Sequence, residues 1–203
     1  MISVVNGANR EQEHVVLRAM FEARKSVFID LLKWDIPALA GRYEIDHFDN
    51  PHASYLILAD PDGRHRASAR LLPTIRPGIL DTLFPELCEG ELPSGPSVFE
   101  ITRFCLSRDM RAPERRLYRN RLVTALAQYA RDNEIVTYTG VADMAWTSQI
   151  LGFGWDCAPL GLPLRYKCGQ LCAIRIDIAA DTIGRLKQTG VYEECTAFMQ
   201  LAD

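Results

Sequence analysis

The stretch that most constrains the fold runs from Glu114 to Asp132, where Leu117, Leu122, Val123, Leu126 and Ala130 fall on one side of a helix of about five turns. Strand-like runs lie on either side of it, Phe99 to Leu106 before and Ile135 to Val141 after, the second with two β-branched threonines. A helix with one apolar face must bury that face on another layer, so this chain has to build sheet and helix together. Two further strands, Ser54 to Ala59 and His65 to Leu72, are joined across Asp60-Pro61-Asp62-Gly63, which is turn chemistry. Near the start, Leu17, Phe21, Arg24, Phe28 and Leu31 predict helix from Glu11 to Trp34, in one piece or two, with a stop at Asp35 to Pro37. The stretch from Pro73 to Pro96 holds five of the eleven prolines and reads as loop. Ala142 to Leu151 reads as a short helix before Gly152. Strands near Leu164–Lys167 and Leu171–Ile178 meet at Cys168-Gly169-Gln170, and a last helix spans Ala180 to Leu201 with a break at Gly190. Strands and helices interleave without strict βαβ periodicity, which implies α+β or mixed α/β with a largely antiparallel sheet. The expectation is one domain in three layers over residues 1–203.

Composition narrows the function. With 48% hydrophobic and 24% charged residues the chain can bury a core, and no segment approaches the roughly 20 apolar residues that cross a bilayer. The first fifteen residues carry Arg10, Glu11, Glu13 and His14 and no apolar h-region, so a cytoplasmic protein is expected. A net charge of −3 gives no bulk reason to expect nucleic acid as a partner. The six cysteines (Cys88, Cys105, Cys157, Cys168, Cys172, Cys195) form no C-x-x-C, and the four histidines show no H-x3-H. Neither a disulfide framework nor a metal site is expected.

Three features do not fit a plain core. Arg24 lies inside the apolar stripe of its own helix. A buried guanidinium needs an acidic partner, and Glu44-Ile45-Asp46-His47-Phe48-Asp49 offers three carboxylates; the other reading is that Arg24 snorkels to water. In Val98-Phe99-Glu100-Ile101-Thr102-Arg103-Phe104 two opposite charges sit in an apolar strand. Either one charge faces solvent, or a β-bulge between them turns both toward one pocket. Arg70 poses the same question on its own strand. The segment from Arg108 to Arg121 has six arginines against two acids, a local +4 that is either a solvated helix face or a dock for phosphates or an acidic protein.

The ordered set Arg24, Phe28, Trp34, Asp46-x-x-Asp49, Arg70 and Glu100-x-x-Arg103 resembles the framework of acyl-homoserine-lactone synthases, the autoinducer synthases of bacterial quorum sensing. The strings Glu44 to Asp49 and Phe99 to Phe104 are especially similar to that family's signatures. So is the second half, Leu151-Gly152-Phe153-Gly154-Trp155 with Ala173-Ile174-Arg175-Ile176, and the resemblance runs from about Val15 to Ile178. It implies a fold like that of N-acyltransferases, a three-layer α/β/α sandwich on a mixed, mainly antiparallel sheet. The implied substrates are S-adenosylmethionine and an acyl thioester, on acyl carrier protein or coenzyme A, with no cofactor. The amine of S-adenosylmethionine would attack the thioester carbonyl; its carboxylate would then displace methylthioadenosine and close the lactone.

On that resemblance the residues acquire roles. Residues 1–50 would form the S-adenosylmethionine side and 97–178 the acyl side. Glu100 would be the general base, with Asp46 its rival. Arg103 and Arg24 would hold the substrate carboxylate, Asp46 and Asp49 its amine or Arg24, with Arg70 in support, while Phe28 and Trp34 wall the site and attract the sulfonium. Backbone N–H groups near Thr102 to Phe104 would bind the oxyanion. Thr102, Phe104, Ala142, Met144 and Trp146 would line the acyl pocket. Ala142 stands where many relatives that favour 3-oxo chains have Thr, which points to an unsubstituted chain, and the bulk of Phe104, Met144 and Trp146 would favour a short or branched one. Arg111, Arg115, Arg116 and Arg119 would dock an acidic carrier protein. Competing readings are an N-acyltransferase of the same fold acting on another amine, a non-catalytic acyl- or carrier-binding module and, most distantly, a nucleic-acid-binding module.

Overall fold

The computed structural model describes residues 1–167, 169–194 and 198–199. Cys168 and Cys195, and the end of the expected last helix, lie outside them. The chain divides into two compact units. The first comprises Met1–Leu71 and Arg103–Leu122 with Glu194 and the described residues after it; the second comprises Leu72–Thr102 and Val123–Glu193.

In chain order the elements are β1 (Ile2–Val5), α1 (His14–Arg24) continued by a π-helical stretch (Lys25–Leu31), β2 (Ala38–Leu39), β3 (Tyr43–Glu44), β4 (Ser54–Ala59) and β5 (His65–Pro73). There follow α2 (Ile79–Leu83), a 3-10 turn (Pro85–Leu87), β6 (Val98–Leu106), α3 (Ala112–Asp132), β7 (Thr137–Asp143) and α4 (Met144–Leu151). The chain ends with β8 (Asp156–Pro159), β9 (Leu164–Tyr166), β10 (Gly169–Asp177), α5 (Thr182–Gln188) and β11 (Phe198–Met199). Most strand pairings are antiparallel; β1 with β11 and β6 with β7 are parallel. The α/β reading with a mixed, mainly antiparallel sheet holds.

In the first unit β4 lies between β1 and β5. Its Tyr-Leu-Ile-Leu run is buried on both faces, as suits an inner strand, and each such side chain contributes about 1.5–3 kcal/mol. In the second unit β7 pairs with β6 on one side and β10 on the other. Parallel neighbours cannot be joined by a hairpin, and α3 supplies the crossover. Tyr138 on β7 donates from its hydroxyl to the Leu126 carbonyl, 3.1 Å away, which fixes which face of that strand meets the helix.

Several boundaries differ from the sequence expectations. The first helix begins at His14 rather than Glu11, and its last turns widen to π geometry. Ala142 belongs to β7, not to the helix after it; α4 starts at Met144 because the Asp143 side chain caps it, accepting from Trp146 N–H at 2.9 Å. The final helix stops at Gln188, just before Gly190 with its left-handed φ of 72°. Strands β1 and β8, the β2–β3 hairpin and α2 within the proline-rich stretch were not anticipated.

Candidate active site

The first unit brings four segments to one point. Arg24 ends α1, Glu44 ends β3, Asp46 and Asp49 occupy the following turn, Arg70 projects from β5, and Arg103 comes from β6. Arg24 is 1% exposed and bonds Glu44 Oε2 at 2.5 Å and both oxygens of Asp49 at 2.8 and 2.9 Å. Arg70 reaches Asp49 Oδ1 at 2.9 Å and Asp46 Oδ1 at 2.6 Å. Arg103 completes the circuit, with Nη2 2.8 Å from Asp46 Oδ2 and 3.1 Å from Glu44 Oε1. Three arginines and three carboxylates therefore alternate in a closed ring, formally neutral. The acidic partner that Arg24 demanded is present, and snorkelling is excluded.

Burial sets the ring's character. Desolvation works against the Asp49 carboxylate, but hydrogen bonds and charge from Arg24, the charge of Arg70 and the Asp46 N–H outweigh it and hold its pKa well below the usual carboxylate range. Arg24 is likewise penalised by burial, and Asp49 and Glu44 more than compensate, raising its pKa. Tyr55 adds a hydroxyl donor to Asp49 Oδ1 at 2.9 Å, and the Asp46 and Phe48 N–H groups bond Asp49 Oδ2 and Asp46 Oδ1. Only one edge is accessible: the side chains of Arg103 and Asp46 are 10% and 17% exposed, against 1% or less for the other four. At that edge stand Phe28 and Trp34. Just beyond the π-helical stretch Trp34 N–H reaches back to the Phe28 carbonyl at 2.9 Å, and the two rings stack 4.7 Å apart. The Arg103 guanidinium lies 5.6 and 5.5 Å from their centroids. Arg103 itself has φ 51°, the left-handed region, in the middle of its strand. A non-glycine residue held there costs about 1–3 kcal/mol, which the ring's contacts must sustain.

The second unit carries Glu100, 2% exposed, whose Oε2 accepts from Ile79 N–H at 2.8 Å and Oε1 from Leu80 N–H at 3.0 Å. Neither outcome left open for the charged strand is met as stated: Glu100 is buried against α2, and Arg103, in the first unit, lies at the ring's accessible edge. Glu100 lines a cavity of about 220 Å³ with Leu72, Gly78, Leu80, Leu92 and Thr139. Thr139 is its register partner on β7, so both face the same side of the sheet. Ala142, in alternation with Tyr138, faces the opposite, α3 side and does not line this cavity. Met144 opens α4, and Trp146 packs edge-on against Phe153 at 5.8 Å. Thr102 is buried and Phe104 half-buried, and neither lines the cavity. Arg111, Arg115 and Arg116 are exposed at and before the start of α3, with Arg119 half-buried beyond them. A wider groove of about 550 Å³ in the first unit, between α1 and the β2–β3 hairpin, contains none of the ring residues. Among the described residues no group of three or more His, Cys, Asp or Glu could hold a metal ion.

The sequence pattern assigns Glu44 no role of its own, although it bridges two of the three arginines. It also casts Arg70 as a support where the structure makes it a full ring member.

A family model described as autoinducer synthase matches residues 8–186. The chain belongs to the autoinducer synthase family. It is 26% identical over 185 residues to the isovaleryl-homoserine lactone synthase of Bradyrhizobium diazoefficiens, covering 90% of this chain and 82% of that protein. Its structure is similar to that of the CoA-dependent acyl-homoserine lactone synthase BjaI with SAM and isopentyl-CoA, with a TM-score of 0.85 and 25% identity over 98% of this chain and 95% of that one. An acyl-CoA N-acyltransferase from Pseudomonas aeruginosa shares the fold at a TM-score of 0.56 and 18% identity, over 86% of this chain and 98% of that one. The autoinducer synthase activity is therefore acyl-homoserine-lactone synthesis, an acyltransferase reaction on an N-acyltransferase-like fold. No described helix is long and apolar enough to cross a membrane.

Proposed function

We propose that residues 1–50 with Arg70 and Arg103 bind S-adenosylmethionine and that residues 97–178 handle the acyl thioester. One observation carries the first assignment: the accessible edge of the ring presents Arg103, Asp46 and a stacked aromatic pair together. A zwitterionic sulfonium needs a cation for its carboxylate, an anion for its ammonium and π-faces for its sulfur, and that edge offers all three. Arg24, Asp49 and Glu44 sit too deep to touch substrate and hold Arg103 and Asp46 in place.

Glu100 is the general base, acting through water, because two backbone amides anchor its carboxylate at the wall of the cavity. Asp46, with both oxygens taken by arginines, is held for binding rather than for moving a proton. The amine attacks the thioester carbonyl, the thiol leaves with the proton, and the substrate carboxylate then displaces methylthioadenosine from the γ-carbon to close the lactone. No metal or other cofactor takes part, and the reaction runs in the cytoplasm. Met144 and Trp146, in the second unit, bound an acyl site for a short or branched chain, and Ala142 ahead of them carries no hydroxyl for a 3-oxo group. The isovaleryl and isopentyl names of the relatives support that choice, and the CoA-dependent BjaI supports coenzyme A as carrier. Arg111, Arg115, Arg116 and Arg119 suit an acidic acyl carrier protein.

The test is methylthioadenosine release from S-adenosylmethionine against a panel of acyl-CoAs and acyl-carrier proteins, with the lactone identified by mass spectrometry. Release that needs an acyl donor, with a short or branched lactone, is the expected result. Reversing Arg111, Arg115 and Arg116 to Glu separates the carriers: a tenfold or greater loss confined to carrier-protein donors marks docking there. A long 3-oxo product would overturn the acyl-site reading.

A further inference from the structure

Gly78 precedes α2 with φ −119° and ψ −164°, extended backbone that any residue can adopt. Its conformation therefore does not call for glycine. Space does: a Cβ at this position would lie 2.4 Å from Glu100 Oε2 and 3.7 Å from the carboxylate carbon. No side chain tolerates the first distance. The carboxylate is there because the next two amides, Ile79 and Leu80, each donate to one of its oxygens, and Gly78 N–H is taken by Asp81 Oδ1 at 2.7 Å. Three successive amides at the start of α2 are thus held by two carboxylates.

A helix of five residues has little stability of its own. Its register on the sheet is set by such anchors, and here the anchor is the group assigned to catalysis. Gly78, Leu80 and Glu100 all line the same cavity of about 220 Å³. A methyl group on residue 78 would push the carboxylate off the two amides. That removes hydrogen bonds that favour the charged form and moves the base from its working position.

We infer that Gly78 is a positioning residue of the synthase: its missing side chain admits the Glu100 carboxylate to the α2 amides and so sets where the base stands and how readily it ionises. The inference rests on the reading of Glu100 as base, and the tests keep the two apart. Gly78→Ala should lower kcat at least tenfold with KM for S-adenosylmethionine changed less than threefold, and should move the acidic limb of the kcat/KM profile to higher pH. Because Asp is one methylene shorter and already withdrawn from the amides, Gly78→Ala should cost less than twofold when placed on Glu100→Asp. An equal cost in both backgrounds would overturn the inference.

A second readout does not depend on turnover. Amide hydrogen exchange at Ile79 and Leu80 should quicken in Gly78→Ala and in Glu100→Gln, while exchange in β7 stays as in the wild type. Unchanged exchange at those two amides in Gly78→Ala would also overturn it. If Glu100→Gln turned over like the wild type the base assignment would fall, and the exchange measurement would still decide whether Gly78 admits the carboxylate.

Discussion

Asp49 and Asp46 lie three residues apart and sit in one ring, yet they do different work. Asp49 is sealed, bonded by Arg24, Arg70 and Tyr55, and its pKa is held well below the ordinary 3.8 against the pull of desolvation. A carboxylate depressed in this way contributes stability that is fully present above its unfolded value and is lost only as pH falls through the folded one, so Asp49 keeps its charge at pH 5. Asp49→Asn leaves three arginines, two of them buried, facing two acids. It should cost about 3–5 kcal/mol in denaturant titrations, as removing one partner of a buried pair does. Asp46→Asn, at the wetter edge, should cost about 1.5–3 kcal/mol, as losing a charged hydrogen-bond partner does, and instead raise KM for S-adenosylmethionine at least tenfold. Equal stability losses with equal KM values would sink the division between sealed and working carboxylates. That Arg24 needs an acid was legible, because a guanidinium in an apolar stripe has few alternatives and the nearest acidic run was close in sequence. Closure of the ring was not legible, because it depends on Arg70 and Arg103 arriving from β5 and β6.

Elements with long, periodic patterns were the ones the sequence declared. Strand Ser54–Ala59 and helix α3 were read within two residues, the first from a run of Tyr, Leu and Ile and the second from its five-turn apolar face. What escaped was short or fixed from outside. The Ile-Leu-Asp-Thr-Leu of α2 is too brief to show a period and is pinned by Glu100, a side chain twenty residues away. Strand β1 has its β-branched signal in Ile2, Val4 and Val5, but four residues among turns do not outweigh their surroundings. The start of α4 turned on one cap. Asp143 accepts from Trp146 N–H and fixes the helix two residues later than the apolar pattern from Ala142 suggested. Asp143→Ala should therefore lower stability by about 1 kcal/mol in thermal denaturation, whereas Asp143→Ser, which can still cap, should lose less than half of that. A loss as large in the Ser variant would mean the aspartate acts by charge rather than as a cap.

For the molecule as a whole, β5 links stability to function, since it carries His65 at its first residue and Arg70 five residues on. His65 is buried, with Ser107 Oγ 2.8 Å from Nδ1 and Ser68 Oγ 2.8 Å from Nε2. Ser107 donates its own hydroxyl to the His65 carbonyl at 2.7 Å, so its oxygen accepts Nδ1–H and Nε2 accepts from Ser68. The neutral imidazole is thus fully satisfied, and burial pushes its pKa from 6.5 to about 3. Between those values the unfolded chain binds a proton that the folded chain refuses. Stability is then full above pH 6.5 and falls as pH drops through the window toward 3, by about 2 kcal/mol between pH 7.5 and pH 5. His65→Gln should be less stable at pH 7.5 but should lack this slope, so the two proteins converge on acidification. Denaturant midpoints at half-unit pH steps measure it, and parallel curves for the two proteins would show that another group sets the acid limit. Because the Asp49 carboxylate stays charged to far lower pH, acid inactivation should track the loss of β5 rather than titration of Asp49, and S-adenosylmethionine binding should fail at the pH where the fold does.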